Sequence, residues 1–339
     1  MTPDAPAVLP PPSGKRPTVL VLRALGLGDL LTGVPALRAV RRAFPGHETV
    51  LAAPGALGPA VRATLAVDAH FVTEENGRRV PPLGHWRGAP PDVAVDLHGN
   101  GPESHEALAA LGPGRVLSYA RPEPGHPSPP RWRATEHERL RWCRFLEAYG
   151  ITADPGDVRI PPPALPSPAP GAVVLHPGAD SGARRWPAAR YAAVAAGLRA
   201  AGHRVVVTGG PGEESLCVAV AGGAGLGSGD VFAGTLTFAQ LSALLAGAAL
   251  FLSGDTGPAH LAFAHGTPSV TLFGPVDPAL WGPPPVRRHR VLWHPGPPGD
   301  PHADEPDPLL LRLDAGRVLE GALGALGRGD STEEVTAHA

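Results

Sequence analysis

Short apolar runs alternate with helix-patterned stretches along nearly the whole chain, and that alternation restricts the fold more than any other feature. Thr18-Val19-Leu20-Val21-Leu22 is a continuous apolar run, followed by a Gly-containing turn and by Leu30, Leu31, Val34, Leu37, Val40 and Ala43 at helical spacing. Run, turn and amphipathic helix open a βα unit. Further strand-like runs fall at Thr49–Ala53, His70–Thr73, Asp92–Leu97 and Arg115–Ser118, with a helix-like stretch at Glu103–Leu111. A helix over Glu136–Tyr149 ends this half, with Gly150 as its cap. The later part of the chain repeats the grammar. Its strands are expected at Ala172–His176, Arg204–Thr208, Ala249–Leu252 and Ser269–Phe273, and its helices at Ala188–Ala201, Glu213–Ala221, Phe238–Ala246 and Pro258–His265. Pro283–Pro308 reads as Pro-rich loop ahead of a last helix near Leu309–Leu326. Strands alternating with helices in both halves predict an α/β protein with two doubly wound parallel sheets.

Between the halves lies Ile160-Pro161-Pro162-Pro163-Ala164-Leu165-Pro166-Ser167-Pro168-Ala169-Pro170, where most positions can neither continue a helix nor donate to a ladder. It reads as a linker stiffened by polyproline geometry. The expected organisation is a flexible lead over 1–17, a domain over 18–159, a linker over 160–170, a second domain over 171–326 and a flexible tail over 327–339. At 339 residues, two domains of roughly 150 residues each can close their own cores.

Composition narrows the function. The chain has 44 Gly and 44 Pro, yet it is 43% hydrophobic with a formal net charge of −2, which excludes a disordered polyelectrolyte. Near-neutrality also gives no electrostatic footprint for nucleic acid or for an anionic membrane surface. Cys143 and Cys217 are too few and too far apart for a disulfide framework or a four-ligand zinc site. The 15 His show no helical two-His-plus-acid spacing, so no metal site is expected. Met1–Pro17 lacks the apolar core of a signal peptide, and the most apolar run, Ala243–Leu252, is well short of the ~18 residues that span a bilayer. A soluble, cytoplasmic protein without a transmembrane segment is the expectation. The single Lys beside many Arg reads as codon bias in a GC-rich genome, so an Arg in place of a Lys carries little information.

Three segments carry chemistry. Leu25-Gly26-Leu27-Gly28-Asp29 follows the first strand but is no dinucleotide fingerprint, because Leu31 stands where a third small residue is needed and Ala52-Ala53 where an acid is needed. Asp29 reads either as a helix N-cap or as an ionised base facing a cleft. His176-Pro177-Gly178 leads to Arg184-Arg185-Trp186-Pro187, with Pro187 opening the next helix. Paired Arg there suit a phosphate, although for an Arg pair alone a solvated basic loop is the usual reading. Leu252-Ser253-Gly254-Asp255-Thr256-Gly257-Pro258-Ala259-His260 is the densest signal: a strand delivers Asp255, and Thr256 and Gly257 offer donors just ahead of a helix expected to begin at Pro258. That is an anion site by construction, where capping by Asp255 or Thr256 alone would explain only one residue. Ligands of doubly wound sheets bind at the carboxyl ends of the strands, so two facing sheets would define one cleft.

From about Val19 to Trp281 the chain resembles glycosyltransferase family 9, the ADP-heptose heptosyltransferases of lipopolysaccharide core synthesis and their relatives. The anchors are Gly28-Asp29 with Pro35-Ala36-Leu37-Arg38, His176-Pro177-Gly178 with Arg184-Arg185-Trp186-Pro187, and Thr208-Gly209-Gly210-Pro211-Gly212-Glu213. They continue with Asp255-Thr256-Gly257-Pro258-Ala259-His260-Leu261, Gly266-Thr267-Pro268 and Phe273-Gly274-Pro275. The resemblance implies a GT-B fold of two Rossmann-like domains, with the acceptor on the first and the sugar nucleotide on the second, and inverting transfer without an essential metal. Catalytic roles would fall to Asp29 as the base, Arg184 as the cation on the donor pyrophosphate and Asp255 on the transferred sugar's hydroxyls. Thr256 and Gly257 would give amides to the same phosphates, His260 would brace their turn, Glu213 would grip the ribose and Leu236 would meet the base. Gly28, His176 and Gly178 complete the expected binding set, and Arg23 with Asp96-Leu97-His98-Gly99-Asn100 hints at acceptor contacts, a structural turn explaining the latter string about as well. Where the family usually carries Lys, this chain has Arg184, with the charge kept. The implied co-substrate is a nucleotide sugar, ADP-heptose or another. The implied acceptor is a cell-envelope glycan, a lipid-linked glycan that brings peripheral membrane contact, or a small molecule. A sugar-nucleotide epimerase or hydrolase of the same fold, and a non-catalytic nucleotide-sugar binder, are the alternatives.

Overall fold

The computed structural model describes residues 9–74, 79–119 and 130–327. Residues 1–8 of the expected lead and 328–339 of the expected tail lie outside them. The chain divides into two compact units between Pro161 and Pro162.

The first unit is a parallel sheet of β1 (Thr18–Leu22), β2 (Glu48–Pro54), β3 (Ala69–Thr73), β4 (Val93–Asp96) and β5 (Arg115–Leu117) in the order β3-β2-β1-β4-β5. Every residue of β1, β2 and β4 is buried, the signature of strands covered on both faces, and it explains why they read as continuous apolar runs. Its helices are α1 (Leu27–Thr32), α2 (Val34–Ala43), α3 (Gly58–Ala63), α4 (Pro102–Ala109) and α5 (Glu138–Glu147). Leu20, Leu22, Val50, Ala94, Phe71 and Leu108 fill one side of the core. The single helix expected after β1 is two, α1 and α2, meeting at Gly33. A Cβ there would lie 2.8 Å from the Nε of Arg23, so the junction is shaped around that side chain.

The second unit is a parallel sheet of β6 (Val173–His176), β7 (Val205–Gly209), β8 (Val231–Ala233), β9 (Leu250–Gly254), β10 (Ser269–Leu272) and β11 (His289–Leu292), ordered β11-β10-β9-β6-β7-β8. Its helices are α6 (Ala188–Ala200), α7 (Glu214–Ala224), α8 (Phe238–Ala246), α9 (Gly257–His265), α10 (Pro278–Trp281) and α11 (Ala315–Leu326). Leu175, Val194, Leu198, Val207, Leu252 and Val318 belong to one continuous core. Part of the Pro-rich stretch packs onto this unit: Ala169 is fully buried, and Gly171 donates to the Gly247 carbonyl at 2.8 Å.

Three expectations are corrected. β11 lies inside the stretch read as loop, because His289–Leu292 finds the free edge of β10. Pro187 caps α6 from outside, its ψ of 134° being extended, and Ala188 opens the helix. α9 begins at Gly257, one residue before Pro258. In each sheet the first strand has its successor on one side and a crossover strand on the other, which puts the reversal points between β1 and β4 and between β6 and β9. Crevices beyond the strand ends at such points are where doubly wound sheets hold ligands. Among the described residues no helix is long and apolar enough to cross a membrane.

Candidate functional sites

At the β6/β9 reversal point, β9 runs straight into Asp255, and Thr256 caps α9 with extended φ and ψ of −143° and 165°. The Asp255 carboxylate is buried and shared: Oδ2 stands 3.6 Å from Arg184 Nη1, and Oδ1 stands 3.7 Å from His260 Nε2. His260 is braced edge-on by Phe263 and by Trp281, whose ring centroids lie 5.5 and 6.0 Å away. The Thr256 hydroxyl is buried and has no hydrogen-bond partner among the described residues, and neither has Arg184 Nε. A buried donor without a partner costs about 1–3 kcal/mol, so this pair marks a place built for something else to accept. Arg184 can sit there because Gly254 has no side chain: a Cβ would lie 2.8 Å from the Arg184 carbonyl. From the other side the Arg184 loop is clamped, with Ala183 donating to the Ala303 carbonyl at 2.8 Å and Ser181 Oγ to the Pro301 carbonyl at 2.6 Å. Arg185 turns its Nε to the Ala179 carbonyl at 2.9 Å, so only Arg184 of the pair faces Asp255.

Beside it, at the ends of β6 and β7, the Glu213 carboxylate lies over Gly178. A Cβ on Gly178 would sit 2.1 Å from Glu213 Cδ and from both its oxygens. Oε2 accepts from the Gly210 N–H at 2.7 Å and stands 3.9 Å from His176 Nε2. Burial holds the His176 imidazole below its ordinary titration range, against the pull of Glu213 and a backbone hydrogen bond, so the ring is neutral near pH 7. Leu236 follows β8 and is half-buried. The structure thus gathers His176, Gly178, Arg184, Glu213, Asp255, Thr256, Gly257 and His260 at the carboxyl ends of β6, β7 and β9.

In the first unit, Asp29 is the third residue of α1, and the N-cap is Gly26. The N-cap alternative for Asp29 is thereby removed; its Oδ2 instead accepts from the Gly26 N–H at 3.2 Å. Gly28 gives its carbonyl to the Thr32 hydroxyl at 3.0 Å. Arg23 is no acceptor contact: its side chain is wholly buried and bonds to the carbonyls of Asp29 and Leu97, both at 2.6 Å, and to Glu138 Oε1 at 3.0 Å. Burial works against the ionised Glu138, but the charges of Arg23 and Arg141 and the Trp142 indole outweigh it and hold its carboxyl below the usual carboxylate range. Asp96, at the end of β4, is buried and organises the following turn by accepting from Ser104 Oγ at 2.6 Å and the His98 N–H at 3.0 Å. Burial pushes its carboxyl up to about 6. Neither the burial of Arg23 nor the role of Glu138 had a signal in the sequence. Among the described residues no group of three His, Cys, Asp or Glu could hold a metal ion, and Cys143 and Cys217 are free and buried.

Comparison with known proteins places the second cluster. The family description "glycosyltransferase family 9 (heptosyltransferase)" matches residues 161–303. Those residues resemble that family. A curated relative, lipopolysaccharide heptosyltransferase 3 of Escherichia coli, is 40% identical over 113 residues, which are 33% of this chain and 33% of that protein. The protein of that name from strain K12 is 35% identical over 113 residues, again 33% of each. The alignment therefore spans about a third of the curated relatives' length. Two solved structures share the fold: a glycosyl transferase family 9 protein of Veillonella parvula, with 20% identity, a TM-score of 0.74 and coverage of 92% of this chain and 98% of that one, and an E. coli ADP-heptose lipopolysaccharide heptosyltransferase II, with 21% identity, a TM-score of 0.71 and coverage of 93% and 100%. The GT-B class expected from the sequence is the fold observed. His176, Arg184, Glu213, Asp255, Thr256 and His260 all fall inside the residues that match family 9, whereas Gly28 and Asp29 precede them.

Proposed function

We propose that the chain is an inverting, metal-independent glycosyltransferase that moves a sugar from a nucleoside diphosphate donor, with ADP-heptose the leading candidate, to a hydroxyl of a glycan, lipid-linked or small-molecule acceptor in the cytoplasm. The observation that carries this reading is the cluster of Arg184, Asp255 and the partnerless Thr256 hydroxyl at the start of α9, inside the residues that match family 9. Support for the donor comes from an E. coli heptosyltransferase of the same fold solved with ADP-2-deoxy-2-fluoro heptose.

Asp29 takes the proton of the acceptor hydroxyl as that oxygen attacks the anomeric carbon, and the bond from that carbon to the diphosphate oxygen breaks. Negative charge then grows on the leaving diphosphate. Arg184 supplies a fixed cation, and Thr256 and Gly257, at the positive end of α9, supply donors already in place, which is the arrangement that lowers such a barrier without a bound metal. Asp255, held between Arg184 and His260, accepts from hydroxyls of the sugar. Glu213, pinned through Oε2, leaves Oε1 for the ribose.

The test is direct incubation with ADP-heptose and a panel of ADP- and UDP-sugars, with and without heptose-containing oligosaccharides and simple glycosides. The reading expects nucleoside diphosphate release that depends on acceptor, survives EDTA and gives a product of inverted anomeric configuration. Release of free sugar or an epimer without acceptor would assign the chain to hydrolysis or epimerisation instead.

A further inference from the structure

We infer that Arg23 is a positioning residue for Asp29: its buried guanidinium fixes the turn from which the carboxylate projects. The inference rests on Asp29 as the base and adds what holds it. Arg23 leaves the end of β1 and has no side-chain exposure. The buried guanidinium pairs with Glu138 Oε1 at 3.0 Å, a carboxylate that it shares with Arg141. The remaining bonds are directional. Nε donates to the Asp29 carbonyl and Nη1 to the Leu97 carbonyl, each at 2.6 Å. Nη2 also reaches Thr32 Oγ1 at 3.3 Å. These carbonyls belong to the two segments that leave β1 and β4 at the reversal point, so one side chain ties both to α5.

The guanidinium is in turn immobile. Trp142 lies 5.3 Å beneath its carbon, and the Trp142 indole donates to Glu138 Oε1 at 2.6 Å. Arg141 pairs with Glu138 Oε2 and stacks over Trp132 at 4.1 Å. Gly33, where a Cβ would meet Arg23 Nε at 2.8 Å, is shaped to admit it. With its backbone pinned from below, Asp29 has Oδ2 on the Gly26 N–H at 3.2 Å and Oδ1 at 3.9 Å from Arg23 Nη2. Oδ1 carries no hydrogen bond among the described residues and is the oxygen left to take a proton. A planar fork that bonds two carbonyls at once is a task for Arg that Lys performs only in part.

The test is a double-mutant cycle on the full chain with Arg23→Met, Asp29→Asn and the pair, with Arg23→Lys as the partial replacement. The expected result for Arg23→Met is a loss of about 100-fold in kcat, the usual penalty for a misplaced group, with donor and acceptor KM within about two-fold. In the Asp29→Asn background the same change should cost nothing further, and Arg23→Lys should recover part of the loss. Wild-type kcat in Arg23→Met, or equal losses with and without Asp29, would overturn the inference. An activity-free measurement separates it from the assignment of the base: amide exchange at Gly26, read by NMR, should accelerate in Arg23→Met while Val21 in β1 stays protected. Should Asp29→Asn transfer at the wild-type rate, the base assignment falls, and an unchanged Gly26 exchange rate would separately dismiss the positioning role. If Arg23→Met does not fold, the same cycle and exchange measurement are run on Arg23→Lys, with reduced losses of the same pattern expected.

Discussion

Replacing Asp96 by Asn should change how the stability of the first unit depends on pH. The carboxyl is fully enclosed at the end of β4, and burial lifts it from its ordinary value near 3.8 to about 6 despite the hydrogen bonds from Ser104, His98 and Gly99. Between those values the native state keeps a proton that the unfolded chain has released. Stability contributed by this group is therefore complete below about 3.8, falls as pH rises through the interval and levels off above about 6. At about 1.4 kcal/mol per pH unit the whole effect is about 3 kcal/mol. Asn retains an oxygen for Ser104 or the turn amides but does not titrate, so the variant lacks the slope. Native-state hydrogen exchange of β1 and β4 amides, corrected at each pH for intrinsic rates, reads the opening of this unit by itself. Variant minus wild-type stability should grow by up to about 3 kcal/mol between pH 4 and pH 7. A flat difference would mean that Asp96 is not the enclosed, proton-retaining group that its surroundings indicate.

Gly178→Ala should keep the fold but displace the Glu213 carboxylate, because the collision is with the far end of a flexible side chain. Losing the Gly210 contact should weaken nucleotide binding about tenfold by calorimetry. Gly182→Ala should instead destabilise the second unit by about 1–3 kcal/mol or more in urea unfolding, since its Cβ would lie 1.5 Å from the backbone oxygen of Asp304. Arg184→Ala should cost about 2–4 kcal/mol of transition-state stabilisation in kcat, while Arg184→Lys, which keeps the charge, should recover most of it.

The sequence exposes the buried strands best, because β1, β6, β9 and β10 are covered on both faces and each carries an apolar stretch that reads as a strand, with the polar residues confined to small or strand-end positions. It finds both edge strands of the first sheet, β3 and β5, but misses those of the second. β8 is a three-residue edge strand, and β11 pairs through one side only, amid prolines that mask it. The break between α1 and α2 was illegible because its cause is a side chain ten residues earlier in the chain, Arg23, folded back under Gly33. The same blindness gave Arg23 an outward role: spacing shows that a charge stands at a strand end but not which way it points. In the second unit the dense string from Leu252 to His260 worked better, since strand, acid, hydroxyl and helix start are contiguous, and local sequence fixes how they are presented.

Donor binding and transfer measured together on Asp29→Asn probe the division of labour between the units most directly. The account predicts that calorimetry finds the nucleotide sugar bound as tightly as by the wild type, since Arg184, Thr256 and Glu213 are untouched, while transfer to acceptor falls by orders of magnitude. Undiminished transfer, or donor binding lost together with activity, would contradict it.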